Sequence, residues 1–184
     1  MENLSVPVSS KGMKEYAHEQ SHEHEIITEL MNKYADNVIR MCYVYLKDYH
    51  LAEDVTQKTF MRVMKHYVKF RKASSEKTWI MQIAINLCKN HFRSSWYKRV
   101  RYDNVPEMPY DADYDGGFDR QEVFSQISKL KPKYKEVILL YYYQEMSIAE
   151  IAEVLRLKES SVKVRLFRAR EQLKLSFKGD GLYE

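Results

Sequence analysis

The sequence contains little glycine, proline or cysteine and no long apolar run. Only 5 of its 184 residues are glycine and 4 are proline, which argues against a turn-rich all-β fold and against a glycine-rich phosphate loop. Two cysteines, Cys42 and Cys88, cannot form a disulfide framework and lack zinc-binding spacing. The longest apolar run, Val137 to Tyr143, is far shorter than the roughly 20 residues of a membrane span, and the amino terminus lacks a secretory signal. We therefore expect a cytoplasmic protein without direct membrane insertion.

Charge is arranged in blocks, although the formal net charge is only +4. Residues 84–102 carry basic side chains and no acid. Among the charged residues of 103–122, all but Arg120 are acids, and residues 156–178 are strongly basic again. This order is typical of two binding modules joined by an acidic connector.

Apolar residues recur at helical spacing, which predicts an all-α protein with two small helical domains. Predicted helices begin near Ile26, cover about 51–70 and about 78–96, and resume after Phe118. The first 24 residues are polar and lack a sustained period, so they are a mobile tail or a frayed helix. The predicted order begins with a polar tail (1–24) and a helical N-terminal half (25–100). A flexible acidic linker (101–119) then leads to a helical C-terminal half (120–178) and a short tail (179–184).

The third predicted helix has an apolar face and an opposite stripe that is polar and basic and begins with an indole. This α3 stripe comprises Trp79, Gln82, Asn86, Lys89, Asn90 and Arg93. The stripe is therefore capable of amide hydrogen bonding. Trp79 is either a residue at the core edge or a platform on which a base stacks.

Near the C-terminus the sequence predicts a helix-turn-helix. Ser147 and Glu150 fit a capping box that precedes a short apolar helix, and a basic helix follows after Arg156. The second helix of such a motif lies in the major groove of DNA. Residues of this helix that can face bases are Ser160, Ser161, Lys163, Val164, Phe167 and Arg168; those better placed for phosphates are Arg165 and Arg170. Taken alone, this stretch also fits an amphipathic surface helix with solvated cations.

Two segments together resemble the extracytoplasmic-function (ECF) sigma factors of the sigma-70 family. One is LAEDVTQKTFMRVMKHY (51–67) with SSEKTWIMQIAINLCKNHFR (74–93), and the other is LKPKYKEVILLYYYQEMSIAEIAEVLRLKESSVKVRLFRAREQL (130–173). The resemblance implies two helical domains, sigma2 and sigma4, that bind core RNA polymerase. The first recognises and helps open the −10 promoter element, and the second reads the −35 element as duplex. It also implies an anti-sigma factor as a partner.

The resemblance further implies roles for individual residues. Contacts with core polymerase fall on Asp54, Gln57 and Phe60. The −10 loop and strand-separation surface fall on residues 73–77 and on the α3 stripe, that is on Ser74, Ser75, Lys77, Trp79, Asn86, Lys89, Asn90 and Arg93. The −35 readers fall on Lys163, Val164, Phe167 and Arg168.

The sequence departs from the family pattern at two positions. Lys58 stands where the family usually has glutamate, which changes one polar contact with polymerase. Arg156 stands where the family usually has glycine. If Arg156 adopts a left-handed backbone, the cost is on the order of 1 kcal/mol.

We expect a sigma factor that directs core polymerase to specific promoters, and neither an enzyme nor a protein with a cofactor. Unstacking a base step costs a few kcal/mol, whereas capturing one base returns about 1–3 kcal/mol. The free chain should therefore bind promoters poorly and depend on polymerase for opening. The alternative is a stand-alone helix-turn-helix regulator that binds duplex DNA tightly without polymerase.

Overall fold

The computed structural model describes residues 10–70, 74–93 and 120–179, and side chains within 25–70, 74–91 and 122–177. These residues form seven α-helices and no strand, which confirms the all-α prediction. The helices are α1 Ser10–Leu46, α2 Tyr49–His66, α3 Glu76–Arg93, α4 Arg120–Lys129, α5 Pro132–Ile138, α6 Ile148–Leu155 and α7 Glu159–Gly179. The predicted linker, residues 101–119, lies outside the described residues.

In the N-terminal half, α1 packs against α2 and α3 around a core that includes Val38, Val63 and Ile80. Helix α1 begins at Ser10. Of the two alternatives for the N-terminal segment, a mobile tail or a helix, residues 10–24 are therefore helical. Residues 10–24 include three Glu and two Lys, and these residues propagate an existing helix at little cost. Asp48 caps α2 by accepting a hydrogen bond of 3.0 Å from the Leu51 backbone nitrogen.

The two cysteines are free thiols buried between α1 and α3. Their sulfur atoms lie 3.6 Å apart, and the Cys88 thiol donates a hydrogen bond to Cys42. This hydrogen bond and burial raise the pKa of Cys88 well above its usual value. Because thiolate is the reactive form, the raised pKa makes Cys88 a poor nucleophile.

In the C-terminal half, α5, α6 and α7 pack around Val137, Ile151, Val162 and Leu166, all buried. The helical spacing of Val162, Leu166 and Ala169 predicts one buried face on α7, and all three residues are buried. Pro132 occupies the first turn of α5, where its missing N–H costs nothing. Helix α5 then continues as a π-helical turn over Leu139–Tyr143. The sequence pattern does not predict this turn.

The two halves contact each other through α1 and α3 on one side and α4, α5 and α6 on the other. Their buried apolar residues form one continuous cluster. The Tyr43 ring stacks on the Phe124 ring with centroids 5.3 Å apart, and the Tyr45 hydroxyl donates a hydrogen bond of 3.0 Å to Glu136. The halves are therefore packed together in this structure.

Candidate nucleic-acid interface

The predicted capping box fixes the start of α6. Ser147 accepts a hydrogen bond from the backbone of Glu150, and the Glu150 carboxylate accepts one of 2.9 Å from the Ser147 backbone nitrogen. The Glu150 carboxylate accepts hydrogen bonds from both the backbone nitrogen and the hydroxyl of Ser147, and these two bonds lower the pKa of Glu150. The first turn of α6 is thereby held in place, and with it the angle at which the chain enters the helix-turn-helix.

The turn between α6 and α7 passes through a left-handed residue. Arg156 has φ 53° and ψ 52°, so this position does require the conformation that glycine adopts without strain. Its backbone nitrogen donates to Glu153, and the next one, that of Leu157, donates 2.8 Å to Ala152. These bonds satisfy the last carbonyls of α6 and set the angle at which α7 leaves the turn.

Helix α7 buries one face and presents the opposite face to solvent. Val162, Leu166 and Ala169 are buried, whereas Val164 and Phe167 are 49% and 65% exposed. The residues predicted to face bases are exposed or half-buried: Ser160, Ser161, Lys163, Val164, Phe167 and Arg168. Two exposed apolar side chains among cations match a major groove, which offers thymine methyl groups beside hydrogen-bonding edges.

A shallow basic groove of about 340 Å³ lies beside the start of α7. Its lining comprises Lys133, Tyr134, Ser160, Ser161, Val164, Arg165 and Arg168. A hydrogen bond from Arg168 lowers the pKa of Tyr134. Half-buried Arg165 lies within the groove, which suits the predicted phosphate contact. The two α5 residues were not singled out from the sequence, because nothing local indicates that α5 lies beside α7.

Arg170, predicted to contact phosphate, is held by two tyrosines. Its Nε donates a hydrogen bond of 2.8 Å to the Tyr142 hydroxyl, and its guanidinium lies 5.3 Å and 5.5 Å from the ring centroids of Tyr141 and Tyr142. Arg170 remains exposed. Stacking on aromatic rings fixes the guanidinium plane and leaves other N–H groups for an anion.

The turn before α3 and the first turn of α3 hold the predicted −10 loop residues that the structure describes. Ser75 caps α3, since its Oγ accepts a hydrogen bond of 3.1 Å from the Thr78 backbone nitrogen. Ser74 and Lys77 are half-buried. The Trp79 ring is half-buried and stacks on Phe70 with centroids 4.6 Å apart. Trp79 thus belongs at the edge of the core, with part of its ring accessible.

Along α3, Asn86 and Asn90 are exposed and Lys89 is half-buried. The Arg93 side chain and residue 73 lie outside the described residues. Lys89 forms an ion pair with Glu136, with 3.2 Å between Nζ and Oε2. The α3 stripe therefore lies partly against the C-terminal half rather than wholly in solvent.

On α2, the structure separates the three residues predicted to contact polymerase. Asp54 is half-buried and pairs with Lys58 at 2.5 Å, and Gln57 is exposed. Phe60 is only 4% exposed and packs in the core, so its contact with polymerase stays a prediction, and the described structure offers little of its surface. An aromatic side chain of this size is most stable when its large apolar area is buried.

A stripe of exposed apolar residues runs along the end of α2 and just beyond it, and the sequence analysis did not predict it. Met61 and Met64 are each 57% exposed and Val68 is 73% exposed. The apolar spacing that Met64 shares with Val55, Phe60 and Val63 predicts a buried side chain at Met64, and this prediction is wrong because Met64 is exposed. Spacing at i, i+3 and i+7 is the signal that could have found this stripe, because α2 carries apolar residues on two faces.

Within the described residues, no helix has both the length and the apolarity to cross a bilayer. No group of three or more His, Cys, Asp or Glu side chains in these residues is arranged to hold a metal ion.

Comparisons with known proteins agree on one family. The family described as Sigma-70 region 2 matches residues 30–97, and Sigma-70, region 4 matches residues 120–173. The ECF RNA polymerase sigma factor SigM of Bacillus subtilis is 30% identical, and the match covers 80% of this chain and 93% of the relative. The RNA polymerase sigma factor YlaC of the same organism is 32% identical, with 80% and 90% covered.

A solved structure shares the fold. The sigma factor RpoE of Bartonella quintana, in complex with the anti-sigma factor NepR, superposes with a TM-score of 0.68 at 22% identity, covering 82% of this chain and 96% of that one. Both sigma-70 regions are present in the expected order, and the curated relatives match over nearly their whole length. The chain therefore belongs to the sigma-70 family and is an RNA polymerase sigma factor of the ECF type.

Proposed function

We propose that the N-terminal half binds core polymerase and the −10 strand and that the C-terminal half reads the −35 duplex. The exposed face of α7 is the observation that carries this division. That face combines cations, hydroxyls and two exposed apolar side chains on a helix held by a capping box and a left-handed turn. A rigid helix with this chemistry suits readout in a major groove.

Run-off transcription with purified core polymerase tests the function. A genomic fragment library, transcribed with polymerase plus this protein, should give promoter-specific transcripts that polymerase alone does not give. A stand-alone regulator would bind duplex DNA by itself and give no such transcripts. The promoters found in this assay supply the DNA for the residue-level tests.

At the −35 element, base contacts and phosphate contacts are separable. Lys163→Ala and Arg168→Ala should weaken binding by about 1–3 kcal/mol at particular base pairs. Arg165→Ala should weaken binding across all sequences and reduce the salt slope by about 1. Footprints of the holoenzyme on −35 variants measure both effects. Identical responses of the three variants would contradict the assignment.

At the −10 element, Asn86 is the best probe because its side chain is exposed. Within the described residues, the hydrogen bonds and the ion pair that join the two halves involve other side chains. Asn86→Ala should impair strand opening while −35 occupancy stays intact. Permanganate reactivity of promoter thymines reports opening. Unchanged reactivity in Asn86→Ala would remove Asn86 from the −10 surface.

For polymerase, we assign the contact surface to Asp54, Gln57 and the exposed apolar stripe of Met61, Met64 and Val68. This stripe offers a surface that a protein partner can bury. Pairing of Lys58 with Asp54 takes up part of the charge of that carboxylate. A contact with polymerase therefore relies more on apolar burial here than on charge.

We also propose regulation by an anti-sigma factor, because a protein of the same fold is found in complex with one. Co-purification from cells with the tagged full chain identifies that partner. The proposed location is the cytoplasm, where core polymerase acts. We further propose that the chain has no catalytic activity of its own, which a nucleotide hydrolysis assay tests.

A further inference from the structure

Arg170 on α7 is held by two tyrosines that belong to the π-helical turn after α5. Its Nε donates a hydrogen bond of 2.8 Å to the Tyr142 hydroxyl. Its guanidinium lies 5.3 Å from the Tyr141 ring centroid and 5.5 Å from that of Tyr142. The two rings meet edge to face, with centroids 5.0 Å apart. Three contacts from one turn therefore orient the guanidinium.

These contacts leave the positive charge of Arg170 in place. A tyrosine hydroxyl and aromatic faces are neutral partners, whereas a carboxylate would cancel the charge. In the part of the chain that the structure describes, the side chains that pair with carboxylates are His50, Lys58 and Lys89. Arg170 is also exposed, and a guanidinium has further N–H donors besides Nε. Its charge and remaining donors are therefore available to an external anion.

The π-helical turn is what brings both tyrosines to α7. The backbone nitrogen of Gln144 donates a hydrogen bond of 3.1 Å to the Leu139 carbonyl, five residues earlier, which makes a wider turn than that of an α-helix. Leu139 and Leu140 are buried, whereas Tyr142 is 53% exposed. The turn thereby anchors itself on the two leucines and presents Tyr142 beside α7. Such turns are frequent at functional sites.

Arg170 lies on the same side of α7 as a proposed base reader. Lys163 precedes it by seven residues, which is about two helical turns and about 10 Å along the axis. The N-terminal residues of a recognition helix reach base edges in the major groove. Because that groove is about 12 Å wide, a residue two turns farther along the helix lies near the sugar–phosphate backbone that borders it. Arg170 is therefore placed for a phosphate.

We propose that Tyr142 is a positioning residue for promoter binding, which holds the Arg170 guanidinium in the orientation that contacts a phosphate beside the −35 element. The inference rests on the proposed −35 role of α7. A free arginine side chain loses rotamer freedom when it binds an anion. The tyrosines restrict Arg170 before DNA arrives, so that less freedom is lost on binding. Tyr142 contributes to affinity through Arg170 and reads no base itself.

A double-mutant cycle in the full-length chain tests this proposal. Fluorescence anisotropy measures binding of the holoenzyme to a labelled promoter from the run-off assay, at about 50 to 300 mM salt. Arg170→Ala should weaken binding about tenfold and reduce the salt slope by about 1. Tyr142→Leu should weaken binding about sixfold, and Tyr142→Phe, which keeps the ring and loses the hydroxyl, about threefold. In the Arg170→Ala background, Tyr142→Leu should have no further effect.

Tyr143→Leu is the matched control, because Tyr143 is the next tyrosine of the same turn and is 39% exposed. The contacts with Arg170 come from Tyr141 and Tyr142, so Tyr143→Leu should bind the promoter like wild type. Circular dichroism and competition for core polymerase verify that each variant is folded and binds polymerase. If Tyr142→Leu fails to fold, the same cycle with Tyr142→Phe decides.

Three results would each refute the proposal. Tyr142→Leu could bind the promoter like wild type, or Arg170→Ala could leave the salt slope unchanged. Tyr142→Leu could also weaken binding equally with and without Arg170, because the tyrosine would then only support the fold. Promoter-specific transcription by the wild-type holoenzyme is a separate readout, and only its absence would refute the sigma function.

Discussion

Replacing Lys135 with methionine should stabilise the folded protein at pH 7, and the gain should shrink as the pH rises to 9. Lys135 lies on α5, is 5% exposed, and has its Nζ 5.9 Å from the Tyr45 ring centroid. Burial, with a smaller contribution from Lys47, lowers its pKa from 10.5 to about 7. Both neighbours belong to the N-terminal half, so the contact between the halves contributes to this burial.

The direction of the pH effect follows from proton counting. Between pH 7 and 10.5 the unfolded chain holds a proton on Lys135 that the folded chain has largely lost, so the free energy of unfolding rises with pH. Relative to an exposed lysine, burial of Lys135 costs about 4 kcal/mol at pH 7 and about 2 kcal/mol at pH 9. Methionine is unbranched, apolar and of similar length, so it fills the same space without this cost.

Urea denaturation at pH 7, 8 and 9 measures the effect as a difference between wild type and variant. The stability advantage of Lys135→Met should fall by about 2 kcal/mol from pH 7 to 9. Lys131→Met, at an exposed position before α5, should differ from wild type by an amount that does not change with pH. Taking differences removes titrations common to all three proteins. An advantage of Lys135→Met that stays constant from pH 7 to 9 would refute the reasoning.

Three further predictions concern single substitutions. Arg156→Gly should raise the free energy of unfolding by about 0.5–1 kcal/mol in urea denaturation. Glycine relieves the left-handed strain, and this gain exceeds the entropy that glycine adds to the unfolded chain. A loss of stability would contradict this. Ser147→Ala should lower the free energy of unfolding by about 1 kcal/mol through loss of the cap, and an unchanged urea midpoint would show that the cap is dispensable. Met64→Ala should weaken binding to core polymerase in a competition assay without loss of stability, whereas Phe60→Ala should cost about 3–5 kcal/mol of stability.

The helices and most of their buried faces were predictable because apolar periodicity acts locally. Ser147 and Glu150 marked the start of α6, and Val162, Leu166 and Ala169 marked the buried face of α7. Each of these signals is complete within about a dozen residues. The orientation of α7, and hence its exposed face, follows from those buried positions alone.

Apolar residues on more than one face of a helix defeated the same reasoning. On α2, Phe60 and Met64 both fit an apolar pattern, yet Phe60 is 4% and Met64 57% exposed. Which of two apolar faces is buried depends on where α1 and α3 lie, and that is decided by contacts distant in sequence. An exposed apolar surface looks like a second core face when only the sequence is considered.

The contact between the halves had no local signal at all. Glu136 follows Lys135 in an otherwise ordinary helical segment, and its partners Tyr45 and Lys89 lie far away along the chain. Nothing in the periodicity of α5 indicates that a glutamate and a lysine there are buried. Both become intelligible only when α5 is placed against the N-terminal half.

The charged groups buried between the halves have opposite effects on the stability of the contact between them. Glu136 favours the packed form by pairing with Lys89, whereas Lys135 must lose most of its charge to be buried. A buried ion pair contributes little net stability once desolvation is counted. The apolar area between the halves must therefore supply most of the attraction, and the charged groups set which surfaces meet.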